Sequence, residues 1–226
     1  MDPESLRRYL SYYQDLGIDT LYRRATSQPE PQPSANGETL EQLAERLAGC
    51  TRCRLHQGRH KLVFGSGNPQ AKLVFVGEGP GADEDEQGLP FVGRAGQLLT
   101  QMIEGTAKKE GIPLMRGDVY ICNVVKCRPP NNRTPEPDEM EICGEFLARQ
   151  IEILRPKALC ALGGTAAKYL TGSKDGVTRM RGNWYKWHDI PLMVTYHPSY
   201  LLRAVSPQAK REAWEDLKKV LHYVYD

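Results

Sequence analysis

Apolar and polar residues follow two different periods along this chain. Four short apolar runs, rich in Val, Ile and Leu, are typical of buried strands in a parallel sheet; they lie at residues 72–77, 119–123, 157–162 and 191–195. Apolar residues at helical spacing predict helices at 38–48, 97–106, 134–154 and 207–225, with a shorter helix ending near residue 170. Residues 178–188 could add a further strand or a hairpin. Strands that alternate with helices indicate an α/β fold, in which a parallel sheet carries helices on both faces.

The pattern near the N-terminus sets the expected domain organisation. Residues 3–24 carry apolar side chains at helical spacing, whereas residues 27–36 (SQPEPQPSAN) combine prolines with polar residues and have almost nothing to bury. Such a segment is typical of a flexible or polyproline-like linker. We therefore expect a helical extension at 1–26, a linker at 27–37 and one globular domain at 38–226.

Composition narrows the classes of protein to which this chain can belong. Its 226 residues, 40% of them hydrophobic and 26% charged, can bury one sizeable core. The formal net charge of +2 allows a nucleic-acid partner only through local clustering of basic residues. No run approaches the length of a transmembrane helix, and the N-terminus lacks the apolar core of a signal peptide. We therefore expect an intracellular, cytoplasmic protein without a membrane partner.

Four of the six cysteines have the spacing of metal ligands. Cys50 and Cys53 form a C-x-x-C motif just after a predicted helix, and Cys127 and Cys143 flank the start of a later helix. In a reducing compartment such cysteines are more often ligands than disulfides, and four thiolates suit zinc or an iron–sulfur cluster. The spacing does not separate these two metals, and four unrelated buried cysteines are the remaining alternative. A metal at this position would be structural rather than catalytic.

Three polar motifs directly follow predicted strands. They are GEGPG at 77–81, the region of Asn123, and HPSYLLR at 197–203. Right-handed crossovers place the carboxyl ends of parallel strands at one edge of the sheet, and open α/β sheets bind ligands there. The sequence therefore predicts an active site at this edge.

Longer stretches around these motifs resemble a known family. GEGPGADEDEQGLPFVGRAGQLL (77–99), NVVKCRPPNNRTP (123–135) and TYHPSYLLR (195–203), with the four cysteines, resemble the family 4 uracil-DNA glycosylases, the iron–sulfur branch of the uracil-DNA glycosylase superfamily. The resemblance covers roughly residue 40 to the C-terminus. It implies a three-layer α/β/α sandwich with a central four-stranded parallel sheet. It also implies a [4Fe–4S] cluster ligated by Cys50, Cys53, Cys127 and Cys143, and zinc, which the spacing alone allows, becomes the less favoured alternative.

The activity that the resemblance implies is DNA repair. The enzyme would flip uracil out of single- or double-stranded DNA and hydrolyse its N-glycosidic bond, leaving an abasic site. Asn123 would accept a hydrogen bond from uracil N3–H and donate to O4, which disfavours cytosine, and Phe91 would stack on the base. His197 would donate to O2 of the departing uracil. Glu78 is the preferred carboxylate for placing the attacking water, with Glu84 in reserve.

Other residues of the motifs are expected to contact DNA or the leaving base. Backbone N–H groups around Gly79 and Gly81 could stabilise the developing negative charge, and Gly79 stands where other branches carry a water-positioning Asp. Leu201 matches the exposed wedge that fills the space of the flipped base. Ser199 and Arg203 are expected to contact flanking phosphates. A monomer is the expected state.

Two rival functions stay open at the level of sequence. A non-catalytic iron–sulfur DNA-binding module would keep the cysteines and basic loops, but the presence of Glu78, Asn123 and His197 argues against it. A relative that acts on other deaminated bases, or that traps abasic sites covalently, is the second rival. The trap-forming branch carries a histidine in a basic insertion, whereas residues 129–134 here read PPNNRT.

Overall fold

The computed structural model of the protein describes residues 37–203 and 207–226. The predicted helical extension at 1–26, and the predicted linker apart from Gly37, lie outside the described residues. Within the part of the chain that is described, no helix is long and apolar enough to cross a membrane.

The described residues form a six-stranded mixed sheet. Its strands are β1 (Ser66–Gly67), β2 (Leu73–Gly77), β3 (Tyr120–Asn123), β4 (Ala158–Leu162), β5 (Trp184–Trp187) and β6 (Ile190–Thr195). Their order across the sheet is β1-β3-β2-β4-β6-β5. The four inner strands run parallel, which confirms the predicted parallel sheet. The two edge strands pair antiparallel with their neighbours, so the sheet is wider than predicted.

The two edge strands differ in how far the sequence revealed them. β5 lies within residues 178–188, where a further strand or hairpin was expected, and it forms a hairpin with β6. β1 pairs through only two residues, Ser66 and Gly67, with β3. A two-residue strand is too short to show a period of two, so the sequence could not predict it.

Helices cover both faces of the sheet. They are α1 (Leu40–Ala48), α2 (Ala82–Gln87), α3 (Arg94–Lys109), α4 (Pro137–Leu154), α5 (Gly164–Thr171), α6 (Val177–Met180), α7 (Pro198–Arg203) and α8 (Pro207–Tyr225). One apolar core joins α1, α4 and α5 to the sheet, and a second joins α3 and α8 to the opposite face. This arrangement confirms the three-layer α/β/α sandwich.

Strand β2 lies at the centre and explains why its sequence is continuously apolar. Val74 and Val76 pack into the core on the α4 side, whereas Leu73 and Phe75 pack into the core on the α3 side. All four side chains are fully buried. A strand that is buried on both faces has no polar positions, in contrast to one with a solvent-exposed face.

The start of α4 differs from the prediction. A helix was expected from residue 134, but it begins at Pro137 after an extended Glu136. The residue before a proline is disfavoured in the helical region, and both Thr134 and Glu136 precede prolines. The helix therefore cannot start before Pro137.

Two segments for which the sequence predicted no helix are short helices. The acidic run Asp83–Glu86 lies in α2, and the segment after His197 forms α7. In α2, the buried Asp85 accepts hydrogen bonds from the backbone and the imidazole of His60, at 3.0 and 2.9 Å. Asp85 is therefore a structural residue.

Candidate active site and cysteine site

A cavity of about 450 Å³ opens at the carboxyl ends of the parallel strands, the edge that the sequence predicted. Its volume lies within the range of ordinary ligand pockets. Eight of the nine predicted catalytic and substrate-binding residues line it: Glu78, Gly79, Gly81, Phe91, Asn123, His197, Ser199 and Arg203. The reserve carboxylate Glu84 also lines this cavity, whereas Leu201 does not.

Asn123 presents an unsatisfied acceptor at the end of β3. Its side chain is 1% exposed, and its Oδ1 has no hydrogen-bond partner among residues 37–203 and 207–226. A Cβ on Gly77, the paired residue of β2, would lie 2.4 Å from this Oδ1 and 2.6 Å from the Phe91 ring, so only glycine fits there. A buried acceptor without a donor costs free energy. The carboxamide is therefore suited to accept a hydrogen bond from a ligand.

Phe91 adopts a backbone conformation that is rare for side chains of its size. Its φ is 52°, in the left-handed region. Glu84 Oε1 accepts hydrogen bonds from the backbone N–H groups of Val92 and Gly93, both at 2.9 Å. On the other side, Arg116 Nη2 donates to Pro90 O at 2.8 Å. These bonds fix the turn and place the Phe91 ring 5.6 Å, between centroids, from the His197 ring.

Glu84 organises the loop instead of offering a free carboxylate. Besides the two N–H groups after Phe91, it accepts a hydrogen bond from the Gly81 N–H through Oε2, at 3.1 Å. Both oxygens are therefore already used by the backbone. Its main contacts thus hold the loop, and the Gly81 N–H already donates to Glu84, whereas the reserve role of Glu84 in placing a water stays a prediction.

His197 has a defined tautomer. Its Nδ1 accepts a hydrogen bond from the Ser199 N–H at 3.1 Å and lies 2.8 Å from Ser199 Oγ. Because a backbone N–H can only donate, Nδ1 is an acceptor and the neutral ring carries its proton on Nε2. Burial, with a smaller contribution from the charge of Arg203, lowers the pKa of His197 to about 4. At neutral pH the ring is thus uncharged and offers its Nε2–H as a donor.

Glu78 is positioned by a residue to which the sequence assigned no role. Glu78 directly follows β2, and the Thr165 hydroxyl donates a hydrogen bond to its Oε2. Thr165 lies in the first turn of α5, just after β4. The bond fixes the orientation of the carboxylate beside the cavity. Thr165 follows a parallel strand at the same sheet edge as the other motifs, and this signal could have identified it.

The leucine expected at the surface of α7 is buried. Leu201 is 2% exposed and packs with Ala209 and Ala213 of α8, so the expectation of an exposed side chain is wrong. The adjacent Leu202 is 42% exposed. Arg203 is also exposed, and its Nε donates to Ser199 O at 3.2 Å. Of the two leucines, α7 therefore presents Leu202 to the solvent.

The four predicted ligand cysteines lie around one small pocket, formed by Cys50, Cys53, Cys127 and Cys143. Arg59 Nη1 donates to Cys127 Sγ at 3.3 Å and to Cys50 O at 2.6 Å. The Lys126 N–H donates to Cys143 Sγ at 3.2 Å. In the ranges 37–203 and 207–226, no three His, Cys, Asp or Glu side chains are already arranged around a single ion position.

The chemistry of this cysteine site fits a thiophilic metal centre. Burial raises the pKa of Cys143 to about 12 and raises the pKa of Cys127 and Cys53 above the ordinary value. A metal would therefore have to displace their protons. Four sulfur ligands with N–H donors beside them suit either zinc or an iron–sulfur cluster. The residues present thus fit the group that the sequence predicted.

A buried carboxylate connects the cavity rim to the cysteine site. Glu139 is 0% exposed and accepts hydrogen bonds from both Nη atoms of Arg133, at 2.9 and 2.7 Å, and from Arg54 Nε at 3.0 Å. The bonds from Arg133 are the main reason that the pKa of Glu139 falls to about 2. Arg133 lines the cavity, and Arg54 follows Cys53. No role was predicted for Glu139 from the sequence.

Comparisons with known proteins agree with these observations. Residues 64–218 match the family model of the uracil DNA glycosylase superfamily. The chain is 49% identical over 189 residues to the type-4 uracil-DNA glycosylase of Thermotoga maritima, covering 83% of this chain and 95% of that protein. It is 45% identical over 192 residues to the type-4 enzyme of Sulfurisphaera tokodaii (81% and 84% covered) and 42% identical over 191 residues to that of Archaeoglobus fulgidus (81% and 92%).

Proposed function

The chain belongs to the uracil-DNA glycosylase superfamily, and from this membership we propose that it is a type-4 uracil-DNA glycosylase, which hydrolyses the bond between uracil and deoxyribose in DNA. The names of its relatives at 42–49% identity support the assignment. The structural observation that supports it most is the buried, unpaired Oδ1 of Asn123 in a cavity that also contains a neutral histidine donor.

Base recognition follows from the hydrogen-bonding edge of uracil. Uracil N3–H donates to Asn123 Oδ1, and uracil O4 accepts from the carboxamide nitrogen. Cytosine presents an acceptor at N3 and a donor at the exocyclic nitrogen, so both interactions become repulsive. When the wrong base is bound, the buried polar groups of the site have no hydrogen-bond partner, so the site discriminates strongly between uracil and cytosine. Stacking on Phe91 adds about 1–3 kcal/mol without selecting the base.

Catalysis depends on stabilising the departing base. The bond between C1′ and N1 breaks, and its electron pair remains on uracil, which becomes an anion. The Nε2–H of neutral His197 donates a hydrogen bond to O2, where negative charge develops. An interaction that strengthens as charge builds lowers the barrier rather than only the ground state.

The second half of the reaction adds water to the sugar. Glu78, fixed by Thr165, orients a water molecule toward C1′ and takes up its proton as the oxygen bonds to carbon. Its negative charge also stabilises the positive charge that develops on the sugar in the transition state. The products are free uracil and an abasic site.

The exposed face of α7 meets the DNA in this proposal. Leu202, rather than the buried Leu201, enters the space that the flipped nucleotide leaves. Arg203 contacts a neighbouring phosphate. The substrate is uracil in single- or double-stranded DNA. A monomeric state and a cytoplasmic location stay predictions.

For the cysteine site we propose a [4Fe–4S] cluster held by Cys50, Cys53, Cys127 and Cys143, with zinc as the alternative. The cluster supplies no step of the reaction; its role is to fix the segments that carry its ligands. Iron and sulfide content of the purified protein, with an absorption band at about 400 nm, tests this proposal. Zinc without iron or sulfide would replace the cluster by a structural zinc site.

The direct test of the activity uses oligonucleotides with uracil, cytosine or thymine at one position, single-stranded and in duplexes. Incubation followed by alkali should cleave only the uracil strands, and chromatography should recover free uracil in equal amount. Tight binding without uracil release would instead support the rival DNA-binding module. Release of another deaminated base but not uracil would contradict the proposed substrate.

A further inference from the structure

Lys126 is a buried lysine to which the mechanism above assigns no role. It lies between Asn123 and Cys127, and it is 1% exposed. Its Nζ donates to Asn123 O at 2.7 Å and to Gln150 Oε1 at 2.5 Å. Both acceptors are neutral oxygens. Because an amine buried away from water is expensive unless its hydrogen bonds are made, these two contacts account for its presence in the core.

One of the two contacts fixes the backbone of the base-reading residue. Asn123 is the last residue of β3, and it pairs with Gly77 on the β2 side. The chain then leaves the strand, with the Val124 N–H donating to Gly77 O at 3.0 Å. The Lys126 amine reaches back to the Asn123 carbonyl. The peptide group next to the Asn123 side chain is therefore fixed by the sheet on one side and by Lys126 on the other.

The second contact extends from this strand end to α4. Gln150 lies on α4, and its Nε2 donates to Phe64 O at 2.9 Å and to the Tyr120 hydroxyl at 3.4 Å. The Phe64 carbonyl, which is the nearer of the two acceptors, holds the amide with its Oε1 toward Lys126. The same helix carries Cys143, whose Sγ accepts the Lys126 N–H. Lys126 thus joins the end of β3 to the helix that forms one wall of the cysteine site.

We propose that Lys126 is a positioning residue for base recognition, whose buried amine sets the orientation of Asn123 relative to the ligand in the cavity. The proposal rests on the proposed function, because it assumes that Asn123 reads uracil. Without the amine, the Asn123 carbonyl loses its buried donor, and the carboxamide can rotate away from N3–H and O4. Uracil affinity and discrimination against cytosine should both fall, whereas contacts to the DNA backbone should not change.

The test compares Lys126→Met with the wild type in two binding measurements. Methionine keeps the apolar stem and removes the donors. The affinity for free uracil should fall roughly tenfold, as expected for the loss of a buried hydrogen bond. The affinity for a duplex that carries a tetrahydrofuran abasic-site analogue, which has no base to read, should stay within about twofold. A residue that only stabilises the fold would lower the unfolding temperature and leave the uracil affinity unchanged.

Tyr120→Phe is the matched control. It removes the hydroxyl that accepts the longer of the two Gln150 Nε2 bonds and keeps both acceptors of Lys126, so uracil affinity should stay unchanged. Gln150→Leu is a second variant, which removes one acceptor of Lys126; it should weaken uracil binding by about threefold. If Lys126→Met does not fold, unchanged uracil affinity in Gln150→Leu overturns the proposal.

Two further measurements, of metal content and of uracil release by the wild type, distinguish failure of the positioning role from failure of the proposed function. Metal content is measured on the same samples, and a loss of uracil affinity that follows loss of metal in Lys126→Met would overturn the positioning role. A wild-type protein that releases no uracil would contradict the proposed function itself. A wild-type protein that releases uracil, together with a Lys126→Met protein that binds uracil equally tightly, would overturn the inference alone.

Discussion

Asn123 of the cavity and Cys127 of the cysteine site lie only four residues apart in the sequence, yet the side chains of the two sites are fixed in different ways. In the cavity, neighbouring groups orient the residues that act: Ser199 fixes the His197 tautomer, and Thr165 fixes the Glu78 carboxylate. In the cysteine site, burial raises the pKa of the thiols, so their metal-binding form depends on a metal.

Because of this difference, variants of the two regions should change different properties of the protein. The cavity is preorganised by the protein alone, so its variants should change rate or affinity with little change in stability. The cysteine site connects three separate segments, so its variants should change stability and DNA affinity before they change the chemical step. Glu139 joins the two regions because it pairs with Arg54, next to Cys53, and with Arg133 at the cavity rim. Loss of the metal could therefore also disturb the cavity rim.

The largest effect is expected from Cys127→Ala. Loss of one of four ligands should abolish metal binding and lower the free energy of unfolding by about 4 kcal/mol, the size typical for loss of a metal. Calorimetry or denaturant unfolding, with metal analysis, measures this. The protein that remains folded should keep most of its single-turnover rate: the rise in its activation free energy should be much smaller than the loss of stability.

The control for Cys127→Ala is Cys160→Ala. Cys160 is also buried, but it lies within β4 and not at the cysteine site. It should keep its metal and lose only about 1 kcal/mol. Equal losses of metal and stability in the two variants would contradict a specific role for the cysteine site.

The next effect in size is expected from His197→Ala. Removing a donor that stabilises developing charge should lower single-turnover cleavage by about 10²–10³-fold. The unfolding temperature should change little. His222→Ala is a matched control, because His222 lies on α8 and bonds to Glu110 and Asp226. If His197→Ala cleaves uracil DNA at a rate close to that of the control, His197 has no part in the mechanism.

A pair of leucines gives a smaller effect that separates DNA contact from packing. Leu202→Ala should lower cleavage of duplex DNA about fivefold more than cleavage of single strands, since only a duplex needs a wedge. Leu201→Ala should instead lower stability by about 2 kcal/mol and affect both substrates alike. Parallel rate measurements on the two substrates decide this, and the reverse pattern would return the wedge role to Leu201.

The smallest effect concerns pH. Because the pKa of folded His197 is about 4 and that of an unfolded histidine is about 6.5, the unfolded chain binds more protons between these values. The contribution of neutral His197 to stability is thus complete above about pH 6.5 and is lost as the pH falls toward 4. The cleavage rate should show no histidine titration between about pH 5 and 8. Nuclear magnetic resonance of ¹⁵N-labelled histidine checks this, and a titration of His197 near pH 6.5 would contradict it.

The sequence predicted most of the fold and the location of the site because both follow from local pattern. Strand ends at Gly77, Asn123 and Thr195 meet at one edge for topological reasons. The burial of Leu201 could not be predicted in this way, because it depends on packing against a helix beyond residue 206. A motif match shows which residues are similar to the family, but it does not show which side of a short helix faces solvent.

Residues that act through backbone groups were also missed or misassigned. Glu84 was predicted only as the reserve carboxylate for a water, and its bonds to N–H groups up to nine residues away, which no spacing rule indicates, were missed. Lys126 was not predicted to be buried. Its burial and its bond to Asn123 O depend on how β3 and α4 pack together, and this is visible only in three dimensions.

A crystal structure of the protein with free uracil would show directly how the base is read. Uracil should lie in the cavity against Phe91, with N3 and Asn123 Oδ1 about 2.7–3.2 Å apart and O2 within the same range of His197 Nε2. Uracil bound outside this cavity, or bound with O2 directed away from His197, would contradict the proposed reading of the base and the proposed stabilisation of its anion.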